Sequence, residues 1–331
     1  MKSVPIEAFN VVPYLDQSAL NGRVVHLMPY WDGKEWHMWV EMGDKLQKMQ
    51  MIDFAHGQYV AKTAKDNHDL CIPFIEIMWQ CGTFHNNQKQ LSRIAHSYHS
   101  LGASLGKIRH FHKHRDTLGM KASTYVDIEI EHMVMNCRRI FDLLQESFSE
   151  LWNTSVQLLD SEHEKIRKAT TLPPKFSKMI MRDSKPVDKS YLFSKYALPE
   201  SIGEVYEKYT DFFHHVRNYR EKVIHGFGSQ DHIFDTEKGF CLAKDALLYR
   251  ELKLWENLEG YNENLVSLKP YLAYLIWNTV SACNGLAEKF SGVIRLQPAL
   301  APNQHIFFRG PHNDEFIDVM NCVKEKKIWW N

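Results

Sequence analysis

The longest run of regular hydrophobic spacing lies between about Thr124 and Leu151. There Ile130, Met133, Val134, Cys137, Ile140, Phe141, Leu144, Phe148 and Leu151 recur at steps of three and four. Such steps lay one apolar stripe along a helix. Thr124, with Asp127 three residues on, resembles an N-cap followed by an acid in the first turn, and Arg138 and Asp142 stand four apart, where they can pair. A second stripe follows Pro199: Ile202, Val205, Tyr206, Tyr209, Phe212, Phe213, Val216, Tyr219 and Val223. Proline suits a first helical turn, and Gly226 and Gly228 supply the stop. Shorter helical patterns cover Ile72 to Met78 and Leu91 to Leu101, and a last long helix is expected from about Pro270 to Gly292. The segment from Gly102 to Gly106 reads as a break.

Between these stripes the period is lost. Residues 1 to about 65 mix the turn signals Asn21-Gly22 and Asp32-Gly33 with aromatic runs such as WHMWVEM, which fit a small strand element or short helices. From about Asp160 to Leu198, Pro173, Pro174, Pro186 and many lysines predict a long, mobile or partly ordered connection. The runs HIFD and FCLA flank TEKG as a short hairpin. The tail reads as loop with one short helix over Glu315 to Val323. No repeat of 20 to 50 residues is present, which removes solenoids and propellers. The fold class expected from these patterns is mainly α, with a small β-hairpin and an N-terminal α or α+β extension.

Composition narrows this little. At 331 residues the chain can bury a large core, and 44% apolar with 24% charged residues is ordinary for a globular protein. Six cysteines without CxxC spacing argue against a disulfide framework or a thiolate zinc site and for reduced, mostly buried thiols. The N-terminus does not resemble a secretory signal. Leu268 to Leu286, the most apolar long stretch, is interrupted by Lys269, Pro270, Asn278 and Asn284, so no membrane span is expected and a cytoplasmic location follows by elimination. Forty basic residues balance forty acidic ones. A polyanion would therefore have to be met locally. Two local excesses stand out: KIRHFHKHR, from Lys107 to Arg115, and Ser161 to Tyr196, with nine Lys or Arg against four Asp or Glu. Both read first as solvated surface loops.

The densest chemistry is RNYREKVIHG, from Arg217 to Gly226. On a helix, Asn218, Glu221 and His225 share a face, with Arg217 and Arg220 on the neighbouring stripe. Arg220 and His225 are about 140° apart on an ideal helix and converge only because arginine is long and the helix is ending. An arginine offers phosphate a planar fork of donors, and a histidine moves protons near neutral pH. With RNA the ribose hydroxyl is itself the nucleophile, so no metal or other cofactor is required. Histidine would take the proton of the attacking or leaving oxygen, and arginine would stabilise the charged transition state. The same cationic pair is also favoured at a helix C-terminus by the helix dipole alone.

RNYREKVIHG resembles the Arg, four to six residues, His signature of the HEPN superfamily, matched here by Arg220 and His225. VDIEIEHMVMNCRRIFDLL resembles the helix that these proteins pair with it. Together the similarity covers roughly Thr124 to Phe290. The resemblance implies a HEPN-like helical bundle over residues 116–331, with residues 1–115 a partly helical region of unassigned function. It further implies a commonly dimeric, metal-independent endoribonuclease, often a toxin with an antitoxin partner or a phage-defence effector. By position, Arg220 would bind phosphate and His225 transfer protons, with Arg217, Asn218 and Glu221 supporting them. Glu221 follows Arg220 where many active members carry a small polar residue. Other HEPN members bind or scaffold protein or RNA without catalysis.

Arg109, His112 and His114 are possible RNA contacts. His110, His112 and His114 alternate, which would suit zinc or nickel only on an extended strand, and Lys113 and Arg115 oppose a cation, so no metal site is assigned. No P-loop, GxGxxG, GxSxG or HExxH occurs.

Overall fold

A computed structural model describes residues 4–20, 22–23, 25–81, 87–154, 156–182, 185–224, 233–246, 249–250 and 252–330, apart from the side chains of residues 220 and 222–224. After two short turns of 3-10 helix come β1 (Tyr30–Trp31), β2 (Trp36–Met42), β3 (Lys45–Met51), β4 (Gly57–Ala61) and β5 (Leu70–Cys71). Helices α1 (Pro73–Gln80), α2 (Gln88–Lys113), α3 (Arg115–Leu118) and α4 (Lys121–Thr154) follow. The middle of the chain holds α5 (Ser161–Arg167), α6 (Phe176–Ile180), the two-residue strands β6 (Met181–Arg182) and β7 (Lys185–Pro186), and α7 (Lys189–Tyr196). Then come α8 (Glu200–Lys208), α9 (Thr210–Ile224), β8 (Phe234–Thr236), β9 (Gly239–Ala243), β10 (Leu265–Ser267), α10 (Lys269–Ser291), β11 (His305–Arg309) and α11 (Asn313–Asn321).

The stripe of α4 is the centre of the molecule. Ile130, Met133, Val134, Cys137, Ile140 and Leu144 are wholly buried beneath α2, α9 and α10. Phe141 stands edge-on to Phe176 of α6 at 4.8 Å and lies 5.7 Å from both Phe212 and Phe213 of α9. Each such ring contributes roughly 1.5–3 kcal/mol by leaving water. Arg138 and Asp142 pair as their spacing predicts, 3.8 Å apart. The helix begins at Lys121, so Thr124 is inside it rather than capping it.

Four further local expectations are corrected. The helix expected after Pro199 is two helices, with Tyr209 between them at φ −102°, and the Thr210 hydroxyl donates to the Tyr206 carbonyl at 2.9 Å. Gly102 to Gly106 is no break: α2 runs through it, because the missing side chains make room for His312 against the helix. The basic run from Lys107 therefore closes a helix rather than forming a loop. The segment from Asp160 to Leu198 is likewise structured, with Asp160 capping α5 and Asp188 capping α7 through the Tyr191 N–H at 2.8 Å.

The main sheet has the order β3-β2-β1-β4-β11-β5, parallel only between β1 and β4. Its fifth strand comes from near the C-terminus, with Ile306 opposite Val60 and Phe308 opposite Gln58. Alternation gives the sheet two faces. Trp39, Val60 and Ile306 join the main core, whereas Trp36, Tyr59, Ala61 and Phe307 form a separate cluster on the outer face. The expected hairpin is present as β8 and β9, with Thr236 opposite Gly239, and β10 adds a third strand.

The fold class is thus α+β, about 52% helical with a six-stranded mixed sheet and two smaller sheets, and not the mainly α bundle expected. The strands are two to seven residues long. They are too short to compete with the helical stripes in a reading of period, and HIFFR lies in what reads as a loop-rich tail. Among the described residues no helix is long and apolar enough to cross a membrane. Of the six cysteines, all free, Cys137, Cys241, Cys283 and Cys322 are buried.

Candidate functional site

The apolar face of α9 is fixed by Phe212, Phe213, Val216 and Tyr219, all buried, which turns its polar residues outward. Asn218 is exposed. Arg217 donates from Nε to Glu221 Oε1 at 2.8 Å, one turn on, and from its guanidinium to the Met181 sulfur at 3.2 Å. Arg217 and Glu221 are therefore brought together, and Arg217 is anchored to β6. Arg220 is on α9 with its side chain outside the described residues, and His225, Gly226 and Gly228 lie outside them altogether. The convergence of Arg220 and His225 is consequently an expectation from their spacing.

Beneath this end of α9, α4 presents Asp127 and Glu131. Burial, and then Asp127, push the Glu131 pKa up. Tyr219 is raised far above its usual value by its own burial first, then by Tyr249 and by the two carboxylates. Tyr219, on the buried face of α9, thus lies within electrostatic reach of two carboxylates of α4. Asp127 and Glu131 are four apart, so the sequence already placed them on one helical face.

Outward from Arg217, the β6–β7 hairpin leads to an open groove of about 400 Å³ lined by Arg182, Lys185, Pro186, Val187, Asp188 and Tyr191. The Arg182 guanidinium lies 5.6 Å from the Tyr191 ring, and Lys195 Nζ is 2.7 Å from the Tyr191 hydroxyl and 5.1 Å from the Tyr196 ring. A cation held over an aromatic face is kept in place at the surface, and a guanidinium plane so fixed can itself stack a base. The excess of Lys and Arg from Ser161 to Tyr196 signalled this region, but its lack of period hid the folded hairpin. Lys189 does not add to the groove, being paired with Glu200 at 2.6 Å and Glu204 at 3.1 Å.

The run around Arg109 is dispersed by its helix. Arg109 reaches Glu315 of α11 at 3.4 Å. His112 is buried against Phe240 and Trp330, and its pKa is lowered by burial and then by Arg115. His114 is exposed, with its ring 4.1 Å from that of His110 one turn earlier. Arg115 donates to the carbonyls of Thr236 and Glu237 at 3.4 and 3.0 Å. Helical geometry sends the alternating imidazoles in different directions, and among the described residues no three His, Cys, Asp or Glu are arranged to hold a metal ion. A second histidine cluster, His26, His56, His96 and His99, is brought together by the fold. Its members are up to 73 residues apart in sequence, and no motif marks it. Comparison of the chain with protein-family models, with curated proteins and with solved structures finds no match.

Proposed function

We propose that the chain binds single-stranded RNA and cleaves it without a metal, in the manner of the HEPN proteins that RNYREKVIHG resembles. The observation that carries the reading is the continuity of Arg217, the β6–β7 hairpin and the cationic, aromatic groove of Arg182, Lys185 and Tyr191. Basic grooves with stacking rings hold single strands by phosphate charge and base faces together. A strand crossing the hairpin would reach the end of α9. There Arg220 would bind the scissile phosphate and His225 would move a proton. The ribose 2′-oxygen bonds to phosphorus, the bond to the 5′-oxygen breaks, the proton leaves the first oxygen and another joins the second, and a 2′,3′-cyclic phosphate remains. Pairing of two copies would supply a second histidine for the second proton. A toxin or phage-defence role, with a partner protein restraining it, belongs to the same proposal.

A specific observation favours non-catalytic RNA or protein binding as the second reading: Glu221 occupies the position after Arg220 and is already paired with Arg217. The test is RNA cleavage in EDTA with end analysis. Cyclic phosphate ends that disappear in Arg220→Ala and His225→Ala, with RNA affinity kept in His225→Ala, support cleavage. Binding that falls in an Arg182→Ala, Lys185→Ala double variant, with no cyclic ends from any protein, supports the binding module. Failure of RNA to bind at all sinks both cleavage and RNA binding and leaves only a protein-binding module.

A further inference from the structure

A cleft of about 510 Å³ opens where the start of β4 meets α2. Four of its lining residues are imidazoles: His26 ahead of β1, His56 before β4, and His96 and His99, three apart on α2. Met38, Phe54 and Phe308 supply apolar wall, and no Lys, Arg, Asp or Glu is among the described lining residues. The His56 and His99 rings stack with centroids 5.3 Å apart, and the His312 ring is 6.4 Å from that of His99. His312 is held there by the glycines of α2. A methyl at Gly106 would lie 2.5 Å from His312 Nδ1, and one at Gly102 would lie 3.2 Å from its Cβ.

We propose that this cleft binds a small aromatic anion, its ring system against Phe54, Phe308 and Met38 and its carboxylate or phosphate head on His56, His96 and His99. Three features select that chemistry. Neutral imidazoles each offer one N–H donor, and protonated ones add charge, so several rings facing one space suit an anion, and among the described residues no three His, Cys, Asp or Glu are arranged to hold a metal ion. The wall is aromatic and thioether, surfaces that take a flat ring well. The cleft is open along one side and within the size range of small-ligand sites, which suits a planar body laid into it rather than a threaded alkyl chain.

Protonation supports the same occupant. The His99 pKa is pushed down by burial and then by His56, His312 and His96. An anion in their midst would relieve that repulsion, so binding should draw protons in. Among the described residues, the titratable groups lining the cleft or acting on His99 are His26 and His56 on the sheet side, His96 and His99 on α2, and His312 just ahead of α11, with Glu315 of α11 beside it. Glu315 lies 3.9 Å from His312 Nδ1 but also 3.4 Å from the Arg109 guanidinium, so its charge is already shared.

The experiment is titration calorimetry of the full chain with naphthoate, naphthyl phosphate, naphthylmethanol and inorganic phosphate. At least one aromatic anion should bind, and whichever binds tighter identifies the head group. The neutral alcohol and inorganic phosphate should bind at least about tenfold more weakly, a tenfold change being readily resolved. His56→Ala and His99→Ala should each weaken binding by about tenfold, whereas Lys45→Ala on the exposed start of β3 should not. Affinity should rise as the pH falls from about 7.5 to about 6, through the range in which imidazoles charge. Absence of binding by both aromatic anions, equal binding of the alcohol, or unchanged affinity in both histidine variants would overturn the proposal.

Discussion

The helices around α4 and the six-stranded sheet are closed by different means. Around α4, residues from successive turns meet side chains of α2, α9 and α10, and burial repeats with the helical period. The outer face of the sheet is closed by single cross-links from loops and strand ends. The Arg309 guanidinium lies 5.6 Å from the Trp36 ring, Lys65 Nζ lies 4.6 Å from that of Trp31, and the Tyr59 hydroxyl joins the 65–69 loop to the sheet. Loss of a charge partner buried among the helices should therefore cost more than loss of one neutral cross-link on the sheet face. The comparison can be broken at points running from the helical side, through the seam, to the edge of the sheet.

The largest effect is expected beside the end of α4. Arg167 and Glu164 are both buried, bound at two points 2.7 and 2.9 Å apart, and Glu164 Oε2 also accepts the Leu158 N–H at 2.9 Å. Arg167→Ala leaves that buried carboxylate with only Lys168, whose Nζ is 3.7 Å away on an exposed side chain, and should cost about 3 kcal/mol in denaturant unfolding. The pair also sets a pH window. The Arg167 hydrogen bond, more than the other contacts, pulls the Glu164 pKa from 4.5 down to about 2. A depressed carboxyl stabilises the fold fully above its unfolded pKa and less and less as the pH falls through the folded one. Stability should therefore drop between about pH 4.5 and pH 2, and Arg167→Ala should flatten that part of the profile. A wild-type curve already flat there would show that the pair is open in solution.

At the seam, Gly106→Ala forces a methyl to 2.5 Å from the His312 ring, which cannot swing away freely because its own Cβ is seated on Gly102. Overpacking of this kind should cost about 1–3 kcal/mol despite the better helix propensity of alanine. A gain in melting temperature would mean that α11 moves easily off α2, and that the seam is looser than either region. On the sheet, Tyr59→Phe removes a hydroxyl that donates to Asp69 Oδ2 at 2.7 Å and accepts from the Lys65 N–H at 2.8 Å. The ring stays packed, so the loss should be about 1 kcal/mol. Hydrogen exchange should localise the loosening to residues 62–69. Loosening that reached α4 would erase the distinction between the regions.

The same difference explains what the sequence disclosed. The stripes of α4 and α10 are visible because every third or fourth residue is buried, and Pro270 and Gly292 bracket the latter. The sheet is obscure because its six strands come from opposite ends of the chain, and β1 and β5 are only two residues long, with no room for alternation. The candidate site divides similarly. Arg217 and Glu221 are one turn apart, and their pairing is written into a helix. The groove of Arg182 and Tyr191 depends on a hairpin too short to leave a pattern, and the cluster of His56 and His99 depends on a sheet packing against a helix.

The smallest effect tests the edge of the sheet. Ile52, just past β3, is fully exposed, and Met49 on that strand is about half exposed. Hydrophobicity alone would place an isoleucine in a core, where its burial would contribute roughly 1.5–3 kcal/mol. Among the described residues β3 pairs with a strand on one side only, so Ile52→Ser just past it should change unfolding stability by no more than about 0.5 kcal/mol. A much larger loss, growing with protein concentration, would mean that the β3 edge is covered in solution by a second copy of the chain. The least regular part of the fold would then be an interface, and its open edge would be explained by what it joins.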